Sequence, residues 1–317
     1  MRRRDPASLI DRVAAGDTTA LARLLSIVEQ GGSESMLAGS LVYPLGGRTY
    51  TVGITGAPGA GKSTLTDQLI TRGRAQEHRM AVLAIDPSSP YSGGAILGDR
   101  VRMSDHFLDP GVFIRSMATR GHLGGLSLAA PAAVRVLDAA GFPWVLLETV
   151  GVGQVEVEIA GAADTTVVVV NPGWGDSVQA NKAGLLEIAD IFVINKADRA
   201  GAEDARRDLE VMLELSGIPE SAWRPPILKT VAPTGGGVDE LWATIAAHRA
   251  RIESDGALVR RRARRTNEEV REIVARRMEA RAYELCAGPA YEALQAAVLQ
   301  RSIDPYTAAE KIISGLG

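Results

Sequence analysis

The sequence predicts an α/β fold: a mostly parallel sheet flanked by helices, with a helical extension before it and a helical arm after it. Three observations predict this. From Tyr50 onward, short and continuously apolar runs alternate with helical patterns, the mark of strands covered on both faces. The first run leads into Gly56-Ala57-Pro58-Gly59-Ala60-Gly61-Lys62-Ser63, which fits the phosphate-loop pattern G-x-x-x-x-G-K-[ST] at every fixed position. After about His248 the apolar runs stop and an arginine-rich helical pattern takes over.

Each element has its own signal. Residues 5–30 carry two helical pieces, Leu9-Ile10-Val13 and Leu21-Leu24-Leu25-Val28, broken near Gly16-Asp17. Asp17 or Thr18 is the cap of the second piece. Gly31-Gly32 ends that segment, and Gly46-Gly47 turns the chain into the first strand, residues 50–55. Further strands are predicted at 80–85, 112–115, 144–147, 165–170, 191–194 and 226–230, with a helix from Ser63 to about Gln76. Residues 251–300 read as one long helical stretch, and Asp304-Pro305 caps a last short helix. The expected division is a helical extension at 1–47, a nucleotide-binding P-loop domain at 48–250 and a helical arm at 251–317.

Composition narrows the class. A hydrophobic content of 46% supports a large core, and a net charge of −3 gives no general pull toward nucleic acid or membrane. Cys286 is the single cysteine, which excludes a disulfide framework and a thiolate metal cluster. Met1-Arg2-Arg3-Arg4 is followed by Asp5 and Pro6 rather than an apolar stretch. No run approaches the ~20 apolar residues of a membrane span. The expectation is a soluble, cytoplasmic protein without nucleic-acid or membrane partners. Among 35 basic residues only Lys62, Lys182, Lys196, Lys229 and Lys311 are lysines. Where arginine is so favoured, a retained lysine marks a place that needs a compact ammonium, which singles out Lys182 beside the two motif lysines.

The motifs carry the chemistry. Backbone N–H groups of the phosphate loop face phosphate, the helix N-terminus adds its dipole, Lys62 neutralises β/γ oxygens and the Ser63 hydroxyl ligates Mg²⁺. Trp144-Val145-Leu146-Leu147-Glu148-Thr149-Val150-Gly151 is an apolar strand ending in an acid, with glycine three residues later. Its acid is placed to hold Mg²⁺ or its water, and the Gly151 N–H to sense a γ-phosphate. Asn195-Lys196-Ala197-Asp198 supplies N-K-x-D directly after a buried strand. The Asp198 carboxylate can accept from guanine N1–H and the 2-amino group, a donor pair that adenine lacks. Lys196 packs on the purine face, Asn195 ties this loop to the phosphate loop, and Thr230-Val231-Ala232 offers an N–H to guanine O6. Asp86, after the second strand, and Asp99, in a glycine-rich loop, suit a Mg²⁺ shell that assembles with the γ-phosphate. The nucleotide-contacting set is Gly59, Ala60, Gly61, Lys62, Ser63, Thr64, Gly151, Asn195, Lys196, Asp198, Val231, Ala232 and Pro233. The ligands expected are therefore GTP or GDP and Mg²⁺.

The strings between these motifs are more specific than the motifs. Asp86-Pro-Ser-Ser, Gly93-Gly-Ala-Ile-Leu-Gly-Asp99, Ile114-Arg-Ser-Met-Ala-Thr-Arg120-Gly, Glu148-Thr-Val-Gly-Val-Gly-Gln154 and Gly175-Asp-Ser-Val-Gln179-Ala-Asn-Lys182-Ala-Gly stand in order. With them the chain resembles the MeaB/ArgK family of P-loop GTPases over nearly its whole length. The resemblance implies a GTPase domain at 48–250 and a GTP-hydrolysing chaperone that gates adenosylcobalamin loading into methylmalonyl-CoA mutase, or a related mutase, and protects it. It implies that Ser63, Asp86, Asp99 and Glu148 arrange Mg²⁺, with Lys62, Asp99 and Glu148 as the catalytic set. It also implies an additional switch around 175–184 containing Gln179 and Lys182, and homodimerisation through the arm at 251–317. A metal-delivery GTPase and a kinase linked to amino-acid transport are the alternatives.

Several features narrow that expectation. Ala57 stands where a related class of dimeric ATPases places a lysine, and Val152 where Ras-like GTPases place a catalytic glutamine. Hydrolysis is therefore expected to be slow without a partner. Gln154 sits at the wrong offset to substitute, and Arg120 is as readily an ion-pair residue as a charge stabiliser. The cluster Arg260, Arg261, Arg262, Arg264 and Arg265 could touch nucleic acid, but Glu268, Glu269 and Glu272 follow it and Val270, Ile273, Val274 and Met278 form an apolar stripe, so it reads as a solvated helix packing in a dimer. The four histidines are scattered, which counts against metal delivery. Cys286 reads as a packed arm residue.

Overall fold

Continuous apolar runs with β-branched residues form strands wherever helices can cover both faces, and each of the seven predicted runs does so. The computed structural model describes residues 5–87, 106, 108–119, 125–149, 161–173, 184, 187–219 and 222–314. Its strands are β1 (Tyr50–Gly56), β2 (Met80–Pro87), β3 (Val112–Thr119), β4 (Trp144–Thr149), β5 (Thr165–Val170), β6 (Ile191–Asn195) and β7 (Ile227–Thr230). They form one sheet in the order β3-β2-β4-β1-β5-β6-β7, and every pairing is parallel. The central strand, β1, pairs with β4 on one side and β5 on the other. The chain runs outward in opposite directions from it, which opens a crevice at the carboxyl ends of the strands.

Ten α-helices fall within the described residues: α1 (Pro6–Ala14), α2 (Thr18–Gln30), α3 (Gly32–Val42), α4 (Lys62–Ala75), α5 (Gly125–Ala139), α6 (Ala202–Leu215), α7 (Val238–Ser254), α8 (Ala257–Leu285), α9 (Pro289–Leu299) and α10 (Pro305–Ser314). Alternation along the strands sorts α1–α7 into two layers. Val167 and Val169 of β5 pack with Leu65 and Leu69 of α4 and Leu241 and Ile245 of α7. Val168 and Val170 point the other way, to Leu209 and Leu213 of α6. On that second face Leu83, Val145 and Leu147 meet α1, α2, α3 and α5 through Leu24, Leu25, Val42 and Leu137. Arg115 pins the helical extension to the sheet edge, donating from β3 to Ala22 O at 3.1 Å and to Glu29 Oε2 at 2.7 Å.

The structure differs from several expectations. Gly31, at φ 74°, ends α2 as expected, but it also caps a further helix, α3, that the sequence did not show. The pattern of α3 hid it, because Ala38 and Val42 face inward while Met36, Leu37 and Leu41 are exposed. The stretch 251–300 is broken at Gly256 and again at Gly288, both at positive φ, conformations that end helices. Chain contacts divide the molecule into two compact units, Met1–Ala263 and Arg264–Gly317, so α8 contributes residues to both. Within the second unit α9 packs on α10, whose cap Asp304 accepts from Thr307 N at 3.0 Å. Cys286 is exposed rather than packed.

The arginine cluster is the last correction. Arg261 and Arg262 are not a solvated face. Arg261 donates to both carboxylate oxygens of Asp190, at 2.8 and 2.9 Å, and Arg262 to Asp164 Oδ2 at 2.6 Å. Asp164 and Asp190 are themselves buried, at 1% and 6% exposure, just before β5 and β6. His248, fully buried on α7, reaches Thr165 Oγ1 at 2.8 Å and lies 3.3 Å from Asp190 Oδ1. Buried carboxylates require such partners. The periodicity of α8 could not show them because both partners lie far away in sequence.

Two outcomes follow. Leu24→Ala, at a fully buried position, should lower unfolding free energy by about 2–5 kcal/mol in a denaturant titration. Burial pushes the Asp190 carboxyl up, but the bonds from His248 and Arg261 outweigh it and hold it below the usual carboxylate range. A depressed folded-state value stabilises at higher pH and loses that stabilisation as pH falls through it. The unfolding midpoint should therefore fall on acidification below the carboxylate range, and less steeply in Arg261→Met.

Candidate functional site

The crevice beside β1 is built from the loop that leaves β1, the carboxyl end of β4 and the loop that leaves β6. The first demands glycine. Gly56 has φ 131°, and a Cβ there would collide with the Val169 carbonyl of β5. Gly61, at φ 90°, caps α4, and a Cβ there would meet the Asn195 amide. Between them the loop turns tightly onto the N-terminus of a 14-residue helix, whose free N–H groups and dipole favour an anion. Lys62 is the first helical residue; its ammonium donates to Gly56 O at 2.7 Å and Ala57 O at 3.0 Å, so it is held across the loop mouth. Ala60 is buried, Gly59 and Thr64 are exposed.

The end of β4 brings an acid to the first loop. Ser63 Oγ donates to Glu148 Oε1 at 2.5 Å, and both side chains are buried, at 7% and 1% exposure. The bond joins the first turn of α4 to the end of β4. A hydroxyl and a carboxylate side by side form a hard oxygen donor set, of the kind that suits Mg²⁺. No group of three or more histidine, cysteine or acidic side chains that could hold a metal occurs among the described residues. Asp86 lies in the last turn of β2, whose neighbouring residue Ile85 is in register with Thr149, so its backbone reaches the same edge of the sheet.

The loop after β6 is tied to the first. Asn195 ends β6, and its amide donates to Ala60 O at 2.8 Å. Its carbonyl oxygen accepts from Thr230 Oγ1 at 3.0 Å and Ala232 N at 3.1 Å. One buried side chain thus joins the phosphate loop, the N-K-x-D loop and the loop after β7. Lys196, at φ 58°, donates to Gly59 O at 2.7 Å, laying its stem across the gap. Ala197 N donates to Thr230 O at 3.1 Å, and Asp198 stands exposed beside it. Val231 and Gly236 exchange an isolated bridge that closes the loop holding Ala232 and exposed Pro233. The Thr230 hydroxyl was not singled out by sequence; a threonine ending the strand next to an N-K-x-D strand is the signal for it.

The remaining sequence-predicted residues, Asp99, Gly151, Gln179 and Lys182, lie outside the described residues, as do Arg120, Val152 and Gln154.

A central parallel sheet with this pair of loops fits a guanine-nucleotide fold, and comparison with known proteins decides the family. The model of the methylmalonyl-CoA mutase-associated GTPase MeaB matches residues 21–286. The chain belongs to the MeaB family. Relatives extend the likeness to both ends. A Pyrococcus horikoshii protein described as a GTPase is 49% identical over 311 residues, 96% of each chain. The GTPase ArgK of Escherichia coli is 37% identical over 265 residues, 80% of this chain and 78% of its own. A solved structure of an LAO/AO transport system kinase superposes with a TM-score of 0.72 at 26% identity, covering 100% of this chain and 99% of that one. MeaB-family membership makes GTP and GDP the expected ligands and GTP hydrolysis the expected reaction. No helix among the described residues is long and apolar enough to cross a membrane.

Gly61→Ala should abolish nucleotide binding, since the new Cβ displaces the Asn195 amide. Titration with a fluorescent GDP should show at least about a hundredfold weaker affinity, with the thermal unfolding midpoint lowered only modestly.

Proposed function

We propose that this MeaB-family GTPase acts as a chaperone of methylmalonyl-CoA mutase or a related adenosylcobalamin-dependent mutase, gating cofactor loading and protecting the loaded enzyme. The observation that carries the reading is membership of a family whose description names the mutase. The site supports it chemically. Lys62 would bind the β/γ oxygens and stabilise charge on the transferring group as water attacks the γ-phosphate. Ser63 and Glu148, joined at 2.5 Å, would hold Mg²⁺ together with Asp86 and Asp99, and the ion would neutralise phosphate charge there. Asp198 would read guanine N1–H and the 2-amino group, and Val231, Ala232 and Pro233 would line the base.

Output is conformational in this reading. GTP orders the segments containing Asp99, Gly151, Gln179 and Lys182, and hydrolysis releases them. With alanine at position 57 and valine at 152, basal hydrolysis is slow and the mutase supplies the stimulation. The functional divisions are an extension at 1–47, a GTPase domain at 48–250 and a dimer-forming arm at 251–317, in a cytoplasmic homodimer.

Two experiments test this. Capture from cell extract under GTP and under GDP, followed by mutase assay, should recover mutase in a nucleotide-dependent way; recovery in neither state rejects the chaperone role. Asp198→Asn should lower GTP affinity by at least about tenfold and raise xanthosine-nucleotide affinity; unchanged guanine preference rejects the assignment. Transfer of labelled γ-phosphate to an amino-acid transport component instead of water would favour the kinase alternative.

A further inference from the structure

The parallel ladder between β1 and β4 runs from Tyr50↔Trp144 to Ile54↔Glu148 and stops there. Beyond that rung β1 continues to Gly56 in register with β5 alone, while β4 continues one residue, to Thr149, in register with Ile85 of β2. The two strands that deliver the phosphate loop and the acid therefore part at the level of the site. At that level a side-chain rung follows the last backbone rung: Thr149 Oγ1 donates to Thr55 Oγ1 at 3.2 Å. Both threonines are fully buried, at 0% exposure, among apolar strand positions.

Strand parity gives this rung its meaning. Ile54 and Leu146 pack on the α4 face, and Leu147 on the opposite face. Glu148 therefore points toward α4, where it meets Ser63, and Thr55 and Thr149 point to the other side of the sheet. Two side-chain links tie the end of β4, one on each face: to α4 above, through Ser63 and Glu148, and to β1 below, through Thr55 and Thr149. Glu148 is itself in register with Ile54 and Ala84, and the rung beneath adds a side-chain tie one residue beyond the last backbone pairing of β1 with β4.

We propose that the Thr55–Thr149 hydroxyl pair is a positioning element of the GTPase site, fixing the distance between the phosphate loop and Glu148. The inference rests on the reading that Ser63 and Glu148 hold Mg²⁺ beside the nucleotide. Valine matches threonine in shape and lacks the hydroxyl, so Thr149→Val and Thr55→Val remove the link and keep most of the packing. Release of a fluorescent GDP from the full chain, with excess Mg²⁺ and with chelator, reads the geometry without hydrolysis. Each variant should release GDP about five- to tenfold faster in Mg²⁺ and within twofold of the parent in chelator. The Mg²⁺ concentration for half-maximal GTP hydrolysis should rise, with kcat falling more than KM changes. Thr149→Ser, which keeps the hydroxyl, should restore parental values. The double variant should be no worse than the worse single one, because both remove the same bond.

Equal acceleration with and without Mg²⁺, full additivity of the two changes, or failure of serine to rescue would each overturn the proposal. If Thr149→Val does not fold, Thr55→Val carries the same comparison. Glu148→Gln separates the two readings and should abolish the Mg²⁺ effect on release. If it does so while the valine variants release GDP as the parent does, the rung alone is rejected. If it does not, the metal reading fails and the rung falls with it.

Discussion

The site is organised around the buried amide of Asn195. With one group it donates to the phosphate loop at Ala60, and with the other it accepts from the Thr230 hydroxyl and the Ala232 N–H. At 1% exposure its polar atoms have no water to fall back on, so loss of any partner leaves a buried group unsatisfied. That cost makes the three loops one object. The requirement for glycine at 61 follows from it, because the amide occupies the space of a Cβ. So does the left-handed turn at Lys196, which brings the lysine stem back over Gly59.

The sheet supplies the rigidity this arrangement needs. Placing β1 at the centre, between β4 and β5, means that the phosphate loop springs from a strand paired on both sides. Glu148 comes from one neighbour, and Asn195 from the strand beyond the other. Glu148 and Asn195 are therefore set by strand register rather than by loop conformation. The apolar alternation that buries Val167 against α4 and Val168 against α6 is what holds that register.

Local signals made most of this legible. Apolar runs located all seven strands, and the fixed spacing of G-x-x-x-x-G-K-S and N-K-x-D located the two principal loops. What sequence did not show depended on distant partners or blurred periodicity. Helix α3 was missed because its inward residues, Ala38 and Val42, are smaller than the exposed Met36, Leu37 and Leu41. Arg261 and Arg262 read as solvated because nothing local reveals Asp190 and Asp164. The Thr55–Thr149 link was invisible for the same reason, since its halves are 94 residues apart.

The arginine anchors beneath the sheet bear on how force travels through the molecule. Arg261, in the second turn of α8, grips Asp190 at the entrance of β6, and Asn195 closes the exit of the same strand. Five residues separate grip from lock, roughly 16 Å of extended chain, hydrogen-bonded to β5 and β7 along its length. Such a strand resists stretching and bending alike. A pull or twist applied to the root of α8 should therefore reach the N-K-x-D loop through this strand.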